Sequence, residues 1–150
     1  MASMAGRHVP RLLGALGCAA VMAAMGSAAH AQSEGMRPTQ LIGTWRGTSL
    51  CTDRIAAPAC HDETVVYDFT AGPKAGTVHW AADKVVNGKR QPMGEFDLAY
   101  AKAEGCWKAE FSSPRVRLVW RLVVDGAQLS GTARLLPDNQ TIRKVSLRKE

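Results

Sequence analysis

The sequence predicts an all-β protein, an eight-stranded antiparallel barrel of up-and-down (meander) order, with an open two-layer sandwich as the structural alternative. Two observations carry this. Apolar and polar residues alternate with period two through most of residues 41–149, the pattern of strands with one buried and one wet face. Turn-forming residues punctuate the alternation at short intervals, so consecutive strands are joined by hairpins, and closing such a meander removes its open edges.

The elements follow in chain order. Arg7 and Arg11 precede an apolar, Ala- and Leu-rich run at 12–29, and "AHA" at 29–31 places small residues at both positions that a signal peptidase reads. Residues 1–31 are therefore expected to be a secretory signal peptide cleaved after Ala31, directing the chain to the periplasm or outside. Once processed, it is not expected to be an integral membrane protein. Residues 32–40 read as a flexible lead-in, and 41–150 as one barrel domain, about the length that supports a single core.

Strands are expected at 41–50, 63–70, 76–86, 93–101, 106–112, 115–124, 127–136 and 141–149. The clearest is "RVRLVWRLVV" (115–124): Val116, Leu118, Trp120, Leu122 and Val124 share one face, and Arg115, Arg117 and Arg121 the other. Asn87-Gly88 and Asp125-Gly126 are pairs that tight primed turns prefer. "SSP" (112–114) and "PDNQ" (137–140) separate two further pairs of strands, and no window has helical periodicity of useful length.

The aromatic residues fit one register. Trp45, Tyr67, Phe69, Trp80, Phe96, Tyr100, Trp107, Phe111 and Trp120, all nine of the chain, can point inward together. An eight-stranded barrel is wide enough to be filled by side chains or to hold one small ligand, and nine aromatics suit either. Gly47, Ala82, Ala109, Gly131 and Ala133 on the same face suggest spare room.

The first strand opens with "LIGTWRG" (41–47), whose Gly43-x-Trp45 resembles the Gly-x-Trp signature of lipocalins and related calycin barrels. The resemblance covers the barrel plan of 41–149. It implies that Trp45 plugs the closed end, under an arginine from near the last strand; Arg143 and Arg148 both qualify. The chain is shorter than that family's members and shows no helix after the barrel. Small secreted bacterial proteins of similar plan include barrel inhibitors of secreted proteases.

"CTDRIAAPACHDE" (51–63) invites a metal or catalytic reading. The nine-residue spacing of Cys51 and Cys60 matches no zinc pattern, whereas an oxidising compartment favours a disulfide between them. His61, Asp62 and Glu63 then form a solvated loop end, and no metal or cofactor is expected. Cys106 is left over on the outer face, either free, paired between chains, or partnered with one of the other two. Glu95, Asp97 and His79 also fall outward, and no nucleophile or phosphate-loop motif is present, so no enzyme is expected.

The charge is uneven. Residues 32–114 carry 9 Lys+Arg against 10 Asp+Glu, and residues 115–150 carry 8 against 3. Arg115, Arg117, Arg121, Arg134, Lys144 and Arg148 share the predicted outer surface and form a candidate patch for an anionic envelope surface or a secreted protein partner. Nucleic acid is excluded by the compartment and by the absence of aromatic residues among these arginines. The function this supports first is a non-enzymatic secreted or periplasmic barrel holding a small apolar molecule, with Trp80, Tyr100, Trp107 and Trp120 as the lining. The second is a protein-interaction module such as an inhibitor of a secreted hydrolase.

Overall fold

The computed structural model describes residues 38–150; the expected signal peptide, 1–31, and residues 32–37 of the expected lead-in lie outside the described residues. The chain forms β1 (Gly43–Cys51), β2 (Glu63–Ala71), β3 (Thr77–Val86), β4 (Lys89–Ala101), β5 (Cys106–Ser112), β6 (Arg117–Asp125), β7 (Gln128–Leu135) and β8 (Gln140–Lys149). These strands close into one antiparallel barrel in sequence order, β1 pairing with both β2 and β8. The sandwich alternative is thereby set aside, and the fold fits a calycin-like barrel.

Three boundaries depart from expectation. Pro38–Leu41 forms a single helical turn, α1, where the lead-in was expected to run on flexibly. Its last residue, Leu41, is fully buried and was expected to open the first strand. β4 begins at Lys89, before Pro92, because Asn87 and Gly88 take the positive φ angles of a two-residue turn pairing Val86 with Lys89. Pro92 is tolerated because the strand's other side is a free edge at this height. Arg115 and Val116 lie in the β5–β6 loop rather than on β6, and Val116 is exposed.

Hairpins of a meander alternate between the two ends. The β2–β3, β4–β5 and β6–β7 connections and α1 lie at one end; the β1–β2, β3–β4, β5–β6 and β7–β8 connections lie at the other. The first end is closed. Trp45 is fully buried there, and its indole N–H donates to the Leu41 carbonyl at 2.7 Å, which fastens α1 across the barrel. The cation over the Trp45 ring is Lys149, its Nζ 5.2 Å from the centroid, so neither Arg143 nor Arg148 fills the role the resemblance implied. Arg143 pairs with Cys51, at the opposite end of β1, and Arg148 pairs with Arg46 on the outer face. Gly43 has φ +129°, and a Cβ there would lie 2.8 Å from Lys149 Cε, so the glycine of the Gly-x-Trp stretch answers a backbone and a packing demand together.

The small inward residues are not all spare room. A Cβ on Gly47 would run into the Ser146 carbonyl oxygen and stand 2.8 Å from Leu147 Cα, so this glycine lets β8 close on β1. The space beside Gly131 is taken by Leu122 and by the Arg121 carbonyl, 2.6 Å from a Cβ placed there. Ala109 and Ala133 belong to the buried core.

Closure is uneven around the ring. β3 and β4 pair over ten residue pairs, whereas β4 and β5 pair over three, Ala99–Lys108, Tyr100–Trp107 and Ala101–Cys106, all at the closed end. Extending that register would set Asp97 directly against Glu110, two carboxylates on one face, a repulsive pairing. The ladder stops short of them. Above it β4 carries a bulge at Met93, where Ala82 faces Gly94 and Asp83 faces Pro92. The upper halves of β4 and β5 thus form a seam without a continuous ladder.

Trp45→Ala is expected to cost about 3–5 kcal/mol, the usual penalty for deleting a large buried aromatic, and Gly47→Ala about 1–3 kcal/mol by overpacking the β1–β8 contact. Urea unfolding followed by circular dichroism measures both; a loss below about 1 kcal/mol for Trp45→Ala would place that residue outside the core.

Candidate ligand cavity and its stapled mouth

Trp80 is the hub of the interior. Its ring centroid lies 4.8 Å from Tyr67, 4.9 Å from Phe96, 5.1 Å from Trp120 and 5.9 Å from Phe69, in edge-on, tilted and stacked geometries. Below it the barrel is filled. Above it a cavity of about 310 Å³ opens, with Tyr67, Trp80, Met93, Phe96, Phe111, Leu118 and Trp120 among its walls and Ser49, Glu63 and Arg143 at its polar end. That volume corresponds to roughly ten water molecules at ~30 Å³ each, and lies near the lower bound of ligand pockets, ~300 Å³.

Of the four aromatics expected to line a pocket, Trp80 and Trp120 do so. Tyr100 and Trp107 do not: they pack on each other at 5.3 Å in the filled end, where the β4–β5 ladder holds them in register. Phe96, Phe111 and Tyr67 take their place at the cavity wall. Phe111 and Met93 stand on the two banks of the seam and are 42% and 40% exposed, so the cavity reaches solvent between β4 and β5 as well as at the barrel end. The indole N–H of Trp80 has no hydrogen-bond partner in the protein.

His61, Asp62 and Glu63 were expected to form a solvated loop end; His61 and Asp62 are exposed, but Glu63 is not. Glu63, first residue of β2, shares the inward face of Val65 and Tyr67 and meets Arg143 at 3.1 Å, both side chains largely buried. Arg143 also donates to Ser49 Oγ at 2.7 Å and to the His61 carbonyl at 3.0 Å, and its Nη2 lies 3.2 Å from Cys60 Sγ. A bulge in β8 near Ile142 accompanies this: Ile142 joins the core while Arg143 turns to the cavity. The guanidinium cannot take a proton from Ser49, so this cluster holds a loop rather than arming a nucleophile. Burial pushes the Tyr67 phenol up to about 12, partly offset by the neighbouring Ser49 hydroxyl and the Arg143 charge. It therefore remains protonated, a donor, at any physiological pH.

Cys51 and Cys60 are joined in a disulfide with Cα atoms 5.9 Å apart. The loop they close is fastened at several further points. Asp62 accepts from the Cys51 N–H at 2.8 Å and pairs with Arg54 at 3.1 Å; that backbone hydrogen bond, with Arg54 close by, lowers its pKa. Asp53 accepts from the N–H groups of Ile55 and Ala56 and from Gln140. Thr52 donates through N–H and hydroxyl to the Ile142 and Thr141 carbonyls. Among the described residues no group of three or more His, Cys, Asp or Glu converges to hold a metal.

Cys106 is free and buried despite its outward parity, which screens the thiol from a second chain. Glu95 and Asp97 do face outward, on either side of His79, whose Nδ1 lies 2.9 Å from Asp97. The six basic residues do not form one continuous free patch. Arg121 is paired with Glu104, Arg134 buries its Nε, Arg115 lies in a loop at the open end, and Arg148 lies toward the closed end. No described helix is long and apolar enough to cross a membrane. The disulfide is compatible with an oxidising compartment.

Arg143→Met is expected to leave the Glu63 carboxylate unpaired in a largely but not fully buried site, costing on the order of 2–3 kcal/mol, below the ~3–5 of a fully buried pair. Adding Glu63→Gln should recover part of the loss in the same unfolding assay; full additivity would mean that the pair is not coupled. No family model matches the sequence and no curated protein does, so it is the barrel itself, eight antiparallel strands closed in sequence order, that relates this chain to calycin-like folds.

Proposed function

We propose that this protein is a non-enzymatic, lipocalin-like barrel of the periplasm or cell exterior that holds a small, mainly apolar molecule in the cavity above Trp80. The observation that carries this is the cavity itself, walled by aromatic and aliphatic side chains from five strands with polar groups confined to one end. Its size selects a ligand of about a dozen heavy atoms, flat or chain-like. The Tyr67 hydroxyl is the donor that would meet a polar end, because Arg143 is already engaged by Glu63, Ser49 and His61.

A second reading is a protein-interaction module, such as an inhibitor of a secreted hydrolase. It is favoured by Ile55, which stands 95% exposed on the loop that the disulfide and its fasteners hold rigid. A rigid loop that presents an apolar side chain loses little entropy on docking.

Titration with decanol or 1-aminoanthracene is expected to change the tryptophan fluorescence of the wild type. Trp120→Ala and Phe96→Ala should weaken that binding by about tenfold or more, for the loss of a large apolar contact. Tyr100→Phe, in the filled end, should leave it unchanged. If neither compound binds, or if Trp120→Ala binds as well as wild type, the cavity reading fails. Capture of a secreted hydrolase that Ile55→Asp abolishes would then favour the second.

A further inference from the structure

The exposed apolar residues of the barrel are not scattered. Among the described residues, the large hydrophobics that face solvent are Leu50, Ile55, Val86, Met93, Phe111 and Val116, all toward the open end, and Val123, elsewhere on the wall. Four of them, Val86, Met93, Phe111 and Val116, belong to the β3–β4 and β5–β6 hairpins, which are the two that border the β4–β5 seam. The cavity lies behind that seam, with Met93 on one bank and Phe111 on the other.

The same two hairpins carry cations without described acidic partners. Lys89 sits beside the β3–β4 turn, and Arg115 and Arg117 at the β5–β6 loop; all three are exposed. Most carboxylates at this end are already held: Asp53 by Gln140, Asp62 by Arg54, Glu63 by Arg143 and Asp83 by Arg90. Asp138, in the β7–β8 loop, is not. Glu95, Asp97 and Glu110 stand lower on the wall, and His79 lies against the first two. The tips of the two hairpins therefore combine apolar side chains with net positive charge, while the wall below them is acidic.

We propose that these two hairpin tips are a docking surface for an anionic lipid surface, on which the barrel sits open end first, with the seam facing the lipid for lateral passage of a ligand into the cavity. Apolar residues that enter the headgroup layer and cations that meet acidic headgroups are the two contributions such binding needs. The acidic β4–β5 wall disfavours lying flat on the seam side, so the hairpin tips meet the lipid first there. The lateral passage rests on the cavity reading; the docking does not.

Flotation with vesicles of phosphatidylglycerol in phosphatidylcholine, against phosphatidylcholine alone, tests this with the full mature chain. The wild type should bind the anionic vesicles, bind the neutral ones far less, and be released by salt. Each cation near an anionic leaflet is worth about a fivefold change in partitioning. The triple variant Lys89→Glu/Arg115→Glu/Arg117→Glu should then lose about a hundredfold or more. Met93→Ser/Val116→Ser should also weaken binding while leaving its salt dependence. Lys74→Glu/Lys102→Glu/Arg148→Glu, an equal charge change at the other end, should stay within a few-fold of wild type. No binding to anionic vesicles, equal binding to neutral ones, or an equal loss in the two triple variants would overturn the proposal. Fluorescence titration of the Lys89/Arg115/Arg117 variant with 1-aminoanthracene in vesicle-free solution separates the two ideas. Retained quenching with lost flotation supports docking and leaves the cavity intact, whereas wild-type flotation without quenching sinks the cavity reading alone.

Discussion

The closure of β8 on β1 is the contact on which the rest of the barrel depends. It is made close by Gly47, whose missing side chain leaves space for the β8 backbone. Both ends of the molecule are then built from the same strand pair. At one end β8 brings Lys149 over Trp45, and at the other it brings Arg143 against Ser49, Glu63 and the stapled loop. A shift of one residue in this pairing would turn the inward set of β8 outward, taking Lys149 from Trp45 and Arg143 from Glu63 together. The plug and the mouth are therefore consequences of a single register.

Arg143 is an expensive way to fasten a loop, since a partly buried guanidinium must recover its lost hydration. The geometry meets that cost through several partners at once: a carboxylate, a buried hydroxyl and a backbone carbonyl. The disulfide contributes about 2–3 kcal/mol by restricting a loop of roughly ten residues in the unfolded chain. The two devices act on different states. The disulfide limits the unfolded ensemble, and Arg143 ties the folded loop to β1, β2 and β8. Together they give the open end a rigid rim on the β8–β1–β2 side, opposite the seam.

What was legible in the sequence is what neighbouring residues decide. Alternation and turn chemistry placed eight strands, because period two and the Asn87-Gly88 turn are local facts. The Cys51–Cys60 bond was legible because both cysteines flank one short loop. Glu63 was readable too, since it alternates with Val65 and Tyr67, but an acid next to His61 and Asp62 reads as solvated until its cation is known. That cation sits eighty residues away on β8. Parity alone left Arg143 and Arg148 both open as the cation over Trp45, because parity fixes a face and not a height; Arg143 has the inward face but stands at the other end, and Lys149 takes the place. Gly47 and Gly131 suggested room that neighbouring strands occupy. The split of the aromatics into packing (Tyr100, Trp107) and wall (Phe96, Phe111) follows from where the β4–β5 ladder stops, a non-local fact no single strand records.

The seam sets closure against access. A complete β4–β5 ladder would remove two strand edges and bring Phe96 and Phe111 together over the cavity, and it would shut the side of the barrel. Leaving the edges open carries its own hazard, since an unpaired edge invites pairing with a second chain. The sequence answers that hazard locally. Pro92 offers no N–H on the β4 edge, the Met93 bulge bends it, and Glu95, Asp97 and Glu110 line the outer face on either side. Asp97 and Glu110, which a continued ladder would set face to face, would equally repel a second copy laid edge to edge. One charge arrangement therefore disfavours both closing the seam and pairing it with another chain. Phe96 and Phe111, with ring centroids 6.4 Å apart, remain as the apolar contact that spans the gap. Two rings can separate without breaking a hydrogen bond, so the wall is weakest where an apolar guest would pass.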